Sequence, residues 1–186
     1  MTRIDAYNLV HNRLGDSPTM AHSLACEACM IALAEKLGED REMWGLTGLV
    51  HDLDLDVCRD DPDRHTLVGA EVLRERSFPE PIVEAMLGHN DKVERSTLMA
   101  KALWVVDPTT GFITAAALIR PSKSTSDLKI KSIKKRMKDK RFAAAVNRDQ
   151  IRACSSELDI ELDEFLTICL TAMNEIRDQI GLDGTN

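Results

Sequence analysis

The chain of 186 residues has few aromatic side chains, with one Tyr, two Trp and four Phe. It also lacks a long apolar run: the stretch at 115–119 falls far short of the ~20 residues that cross a bilayer, which excludes a membrane-spanning helix. The N-terminal Met1-Thr2-Arg3-Ile4-Asp5-Ala6 carries charge but no apolar core of a secretory signal. Alternating strand patterns are nearly absent, so an all-α fold is expected. No repeat or low-complexity tract interrupts the chain. The five cysteines are odd in number and lie mostly in apolar, helix-like stretches, which points to reduced thiols in a cytoplasmic protein. With 44% apolar and 30% charged residues, the composition is that of one globular domain spanning 1–186, long enough to bury a sizeable core.

Helix boundary signals recur along the chain. Thr2-x-x-Asp5 reads as a capping box opening a helix that runs to Gly15, and Ser17-Pro18 starts a second that ends at Gly38. Asp40 caps a third, whose apolar face leads to His51-Asp52. A fourth is expected from about 64 to 76, and a fifth between the Pro79–Pro81 bracket and His89-Asn90. The apolar segment 98–106 predicts a sixth, which Asp107-Pro108 terminates or kinks, and Thr109 or Thr110 opens a short successor to Ile119. After a loop at 120–124, a basic helical segment spans 128–141. Asn147 caps a short helix, and a final amphipathic one begins near Glu161 and closes at Gly181. The expectation is a bundle of about ten helices.

Charge is unevenly distributed. The net charge is -7, yet residues 121–141 carry nine Lys/Arg against two Asp. Acidic residues concentrate at 51–63. A basic face could engage nucleic-acid phosphates, but it has no aromatic stacking residue before Phe142 and no recognised nucleic-acid motif. A solvated amphipathic helix is the simpler reading, and a nucleic-acid partner is not expected.

The most informative pattern is an ordered set of four histidines and two aspartates: His22, His51-Asp52, His65, His89 and Asp107. Imidazole is the commonest protein metal ligand. For any one histidine, a cap or core-lining role is the simpler reading; four in one order with two carboxylates point to a nitrogen–oxygen site for one or two divalent ions. Placement near helix ends would let several helices contribute to one cavity. His11 lies outside the pattern, as a surface or cap residue. Cys26-x-x-Cys29 shares a helix with His22, so a mixed His/Cys zinc site is conceivable. Without a second cysteine pair, buried small side chains are the simpler reading.

The contexts of these residues resemble the HD-domain metal-dependent phosphohydrolase superfamily, in its small stand-alone HDIG type. The resemblance rests on Met20-Ala-His22-Ser-Leu, His51-Asp52 after Gly48-Leu-Val, and His65-Thr-Leu-Val-Gly-Ala-Glu-Val-Leu73. It continues through His89 after Ile82-Val-Glu-Ala-Met-Leu-Gly and Asp107 after Leu103-Trp-Val-Val. It covers a motif core at 15–110, with 111–186 as a C-terminal helical extension.

The resemblance implies an all-α HD-domain bundle with His22, His51, Asp52 and Asp107 on a first metal. His65 and His89 match the extra histidines of binuclear members, in which Asp52 would bridge. The ions implied are Mn, Fe, Ni, Co, Zn or Mg. The expected activity is hydrolysis of a small phosphate ester, such as a nucleotide, by a metal-activated water, with Asp52 and Asp107 as catalytic residues. The family's usual Ile-Gly-Lys after the His-Asp pair is Leu53-Asp54-Leu55 here, so the phosphate-meeting lysine is absent. Arg120 and Lys123 are the expected substrate-binding cations in its place, with Lys101 behind them. The Gly-Tyr-Pro element of cyclic-dinucleotide phosphodiesterases is missing near His89-Asn90-Asp91, which argues against cyclic di-GMP.

Two other readings stay open: a diiron oxygenase of the same superfamily, favoured by Asp54 and Asp56 weakening a phosphate loop, and a non-catalytic metal- or nucleic-acid-binding module. Homo-oligomerisation is open as well, since nothing separates an interface helix from a core helix.

Overall fold

A computed structural model describes residues 1–185. Among them are ten α-helices: α1 (Arg3–Leu14), α2 (Pro18–Leu37), α3 (Arg41–Val50), α4 (Leu67–Glu75), α5 (Glu80–His89), α6 (Leu98–Leu118), α7 (Ile130–Arg136), α8 (Arg148–Arg152), α9 (Cys154–Leu158) and α10 (Leu162–Glu175). Two 3-10 turns, Pro62–Arg64 and Thr125–Asp127, complete the regular structure, and the described residues contain no strand. The fold is all-α, and no helix is long and apolar enough to cross a membrane.

The caps form as the sequence indicates. Thr2 accepts from the Asp5 amide at 3.2 Å while Asp5 takes the Thr2 amide at 3.1 Å. Ser17 caps α2 through the Met20 amide, and Gly38 ends it in the left-handed region at φ 74°. Asp40 takes the Glu42 and Met43 amides at 2.9 and 3.0 Å. Each such cap satisfies backbone donors that the helix leaves open, a contribution of about 1 kcal/mol.

α2 is the central strut. It packs most extensively on α3 and also meets α1, α6 and α10. Its buried Cys26, Cys29, Met30 and Leu33 join Leu49 and Val50 of α3, Leu103, Phe112 and Ile113 of α6, and Phe165 and Met173 of α10. Full burial of each large side chain is worth about 1.5–3 kcal/mol. The α2–α3 approach is close enough that a Cβ on Gly48 would lie 2.7 Å from the Cys26 backbone. That contact sets the end of α3 against the first half of α2, where His51 and His22 meet.

Four boundaries differ from the sequence reading. α6 does not stop at Asp107-Pro108; it runs unbroken through Pro108, and no separate helix begins at Thr109 or Thr110. Pro108 has no N–H for the Trp104 carbonyl. The Gln150 side-chain amide donates to that carbonyl instead, at 2.5 Å, so the helix continues with its open acceptor satisfied. The basic segment is helical only over Ile130–Arg136. Like charges one turn apart, Lys131/Lys135 and Lys134/Lys138, oppose a longer helix, and the buried anchors are few. α4 begins at Leu67 rather than near 64, and α10 ends at Glu175, well before Gly181.

Candidate metal centre

α2, α3, α5 and α6 and the turns between α3 and α4 bring His22, His51, Asp52, His65, His89 and Asp107 into one cluster. His22 lies in the second turn of α2, and His51 is the C-cap of α3, followed by Asp52. His89 is the last residue of α5, and Asp107 sits in the middle of α6. His65 does not open a helix: it has an extended backbone after the first 3-10 turn. Thr66 follows at φ 71°, buried. A β-branched residue in that region costs about 1–3 kcal/mol, and the strained turn presents His65 inward.

Asp52 stands at the centre. Its Oδ2 lies 3.6 Å from His22 Nε2 and 3.4 Å from His51 Nε2. Its Oδ1 lies 3.3 Å from His65 Nε2 and 3.5 Å from His89 Nε2. His22 Nε2 is also 3.1 Å from Asp107 Oδ1 and 3.2 Å from His51 Nε2. The two carboxylate oxygens therefore divide the four imidazoles into two pairs.

The other ring nitrogens face away from the cluster, each toward an acceptor. His51 Nδ1 donates to the Gly48 carbonyl at 2.8 Å and His89 Nδ1 to the Met86 carbonyl at 2.6 Å. His65 Nδ1 donates to Asp54 Oδ1 at 2.9 Å. His22 Nδ1 donates to Thr110 Oγ1 at 3.1 Å, and that hydroxyl passes its own proton to the Asp107 carbonyl at 2.9 Å. Each Nδ1 is thus satisfied by an outward acceptor, which leaves Nε2 as the nitrogen that every ring offers to the centre. Outer hydrogen bonds of this kind fix imidazole ligands in orientation and raise their basicity.

The electrostatics follow from burial opposed by close partners. Burial penalises charge on Asp52, yet His51, with His65 and His89, holds its carboxyl well below the usual range. Asp107 is lowered in the same way, by His22 against burial. Burial likewise disfavours a charged His65, but Asp52 and Asp54 outweigh it and raise its pKa to about 9. Most of the cluster is sealed from solvent. Asp107 and His22 form its open side, with 31% and 22% of their side chains exposed.

Sequence reasoning missed three supporting residues. From the sequence, Asp54 reads only as a departure from the family's phosphate loop. It is instead fully buried, with Oδ1 on His65 and Oδ2 taking the Gly69 amide at 2.7 Å. Thr110 and Asn90, whose Nδ2 donates to the His65 carbonyl at 3.2 Å, left no sequence signal beyond their nearness to ligand residues.

The cysteine motif does not act as a unit. Cys26 Sγ lies 3.7 Å from His22 Nε2, whereas Cys29 Sγ donates to the Cys169 carbonyl at 3.6 Å. His11 stays apart, 3.1 Å from Asp16. Arg120 and Lys123 are not brought to the cluster. α6 ends at Leu118, about 16 Å beyond Asp107 along its axis, and both cations follow that end.

The HD domain family matches residues 19–147, more than half of the chain, and the match includes all six clustered residues. The chain belongs to the HD domain family. Members of this family are generally metal-dependent hydrolases, and the His/Asp cluster includes groups that could hold a metal ion. Over 88 residues the chain is 25% identical to the ribonuclease Y proteins of Lactobacillus gasseri and Lactobacillus johnsonii. The alignment covers 47% of this HD chain and 16% of each relative, so the chain spans about a sixth of their length. No solved structure gives a significant match.

Proposed function

We propose that the protein hydrolyses a small phosphate ester, such as a nucleotide, at a binuclear centre. His22, His51, Asp107 and Asp52 would hold one divalent ion, and His65, His89 and Asp52 would hold the other. The observation that carries this reading is geometric: four Nδ1 atoms bound outward and four Nε2 atoms within 3.3–3.6 Å of Asp52. Spacings of 3.1–3.6 Å between neighbouring donors suit atoms that share an ion at bond lengths of about 2.0–2.2 Å. An all-N/O set accommodates Mn, Fe, Ni, Co, Zn or Mg without selecting one.

Such ions supply a nucleophilic water at neutral pH and polarise the phosphoryl oxygen. The chain's own groups supply position. Asp52, buried between the histidine pairs, keeps the two halves in register. Asp107, on the open side, accepts a hydrogen bond from the incoming water and orients it. Water adds to phosphorus, the ester P–O bond breaks, and a proton passes to the leaving oxygen.

Metal analysis of protein purified without added metal, followed by a panel of phosphomonoesters, nucleotides and a short RNA, tests the reading. RNA belongs in the panel because the relatives are named ribonucleases. Asp52→Ala should lose both metal and turnover. Undiminished turnover in that variant, or oxygen uptake by an iron-loaded protein that hydrolyses nothing in the panel, would overturn the proposal.

A further inference from the structure

The six clustered residues provide no cation to meet a phosphoryl group, and the lysine usual after the His-Asp pair is replaced by Leu55. Arg120 and Lys123 lie beyond the end of α6. Lys101 is engaged with Glu157 at 3.5 Å. A different cation lies next to two of the ligand-bearing elements.

Arg95, in the connection between α5 and α6, lies across the last turn of α5. A Cβ on Gly88 would come within 3.1 Å of its Cγ, so the glycine leaves room for the arginine stem. Its Nη1 donates to the Gly88 carbonyl at 3.1 Å and pairs with Asp91. Its guanidinium sits over the Trp104 ring, 4.2 Å from the centroid. Gly88 immediately precedes His89, and Trp104 precedes Asp107 by three residues on the same face of α6. One side chain therefore bridges the elements that carry His89 and Asp107.

The free part of that side chain has a specific shape. Both protein hydrogen bonds of Arg95 use Nη1; Nε and Nη2 have no partner among the described residues. Those two groups form the edge that presents parallel N–H bonds to two oxygens. Arg3 uses the same edge on Glu27, at 2.5 and 2.8 Å. Stacking on an indole and pairing with Asp91 hold the guanidinium in place before a ligand arrives, which reduces the ordering cost of binding.

We propose that Arg95, held over the Trp104 ring, is the substrate-binding residue that receives two non-bridging oxygens of the phosphoryl group. This rests on the phosphohydrolase reading above and restricts it to substrates with two such oxygens free, as in phosphate monoesters and unmodified phosphodiesters. Arg95 replaces Arg120 and Lys123 in that role.

The test is calorimetric titration of inorganic phosphate into Mn2+-loaded protein. Arg95→Ala and Arg95→Lys should both weaken phosphate binding by about 10-fold or more, the scale of a charge-assisted paired contact. Metal content should be unchanged, and the loss should appear in KM more than in kcat. Arg95→Lys retains the charge and much of the stem that packs on Gly88, so it separates a fork-like contact from a purely structural one. Wild-type phosphate affinity in Arg95→Lys overturns the assignment, whatever Arg95→Ala does to folding. A wild-type protein that holds Mn2+ but binds no phosphate and turns over no ester overturns the phosphohydrolase reading as well.

Discussion

Asp54 and His65 are joined by a 2.9 Å hydrogen bond from Nδ1 to Oδ1, and the other Asp54 oxygen is held by the Gly69 amide. The carboxylate thus fixes both the tautomer and the direction of one imidazole. Loss of such an outer partner typically lowers metal affinity about 10–100-fold. Asp54→Asn should therefore weaken the ion on the His65–His89 side and leave the one on the His22–His51 side in place. Stoichiometry by competitive chelation checks this; two equally weakened ions would contradict the two-sided arrangement.

Gly48 allows α3 to touch α2. An added methyl would lie 2.7 Å from the Cys26 backbone and 2.8 Å from the Glu27 nitrogen, neither of which can swing aside as a side-chain tip would. Gly48→Ala should destabilise the fold by about 3 kcal/mol, as overpacking of a tight interface does. It should also disturb His51, whose Nδ1 is bound to the Gly48 carbonyl. Denaturant melts together with metal titration read both effects, and a wild-type melt would show that the helices can separate freely.

The Gln150 amide satisfies the carbonyl that Pro108 leaves open. Gln150→Ala should cost about 1 kcal/mol, the net worth of a part-buried hydrogen bond. Restoring a helical N–H with Pro108→Ala in the same chain should recover part of that loss. Thermal melts of the two single variants and the double variant measure the coupling. Strict additivity would mean that Gln150 does not compensate for the proline.

Metal loading should release protons. In the metal-free protein, burial opposes the charge on His65, but Asp52 and Asp54 keep its pKa at about 9, above the ordinary 6.5. At pH 7 an entering ion must therefore displace that proton, so affinity should rise with pH. Titration in two buffers of different ionisation heat counts the protons, and a count of zero contradicts the protonated ring. The same shift governs stability without metal. The raised folded-state value gives a contribution that is complete below pH 6.5 and is lost as pH rises through about 9. His65→Asn should flatten that decline.

Five of the six clustered residues were legible because they lie near a marked local feature: the Ser17-Pro18 start, the apolar run into His51-Asp52, the Pro-bracketed start of α5 and the Asp107-Pro108 pair. Asp54 was not legible in the same way. Residues 51–60 fold as successive turns rather than a periodic element, so spacing could not tell which acidic side chain turns inward. Pro108 misled for a related reason, since the amide that rescues its helix lies 46 residues past the carbonyl it serves. Arg120 and Lys123 read as substrate-binding cations because their charges were visible and the length of α6 was not.

The Trp104–Gln150 contact also bears on how far the half that carries the cluster is autonomous. The family match stops at residue 147, one residue before α8 begins, and all six clustered residues lie inside it. A chain ended there would keep all six residues and lose the amide that completes the helix carrying Asp107. The C-terminal helices thus contribute a donor to the helix that carries Asp107. Any lineage that trimmed or exchanged them would have to find another donor for Trp104 or give up the proline.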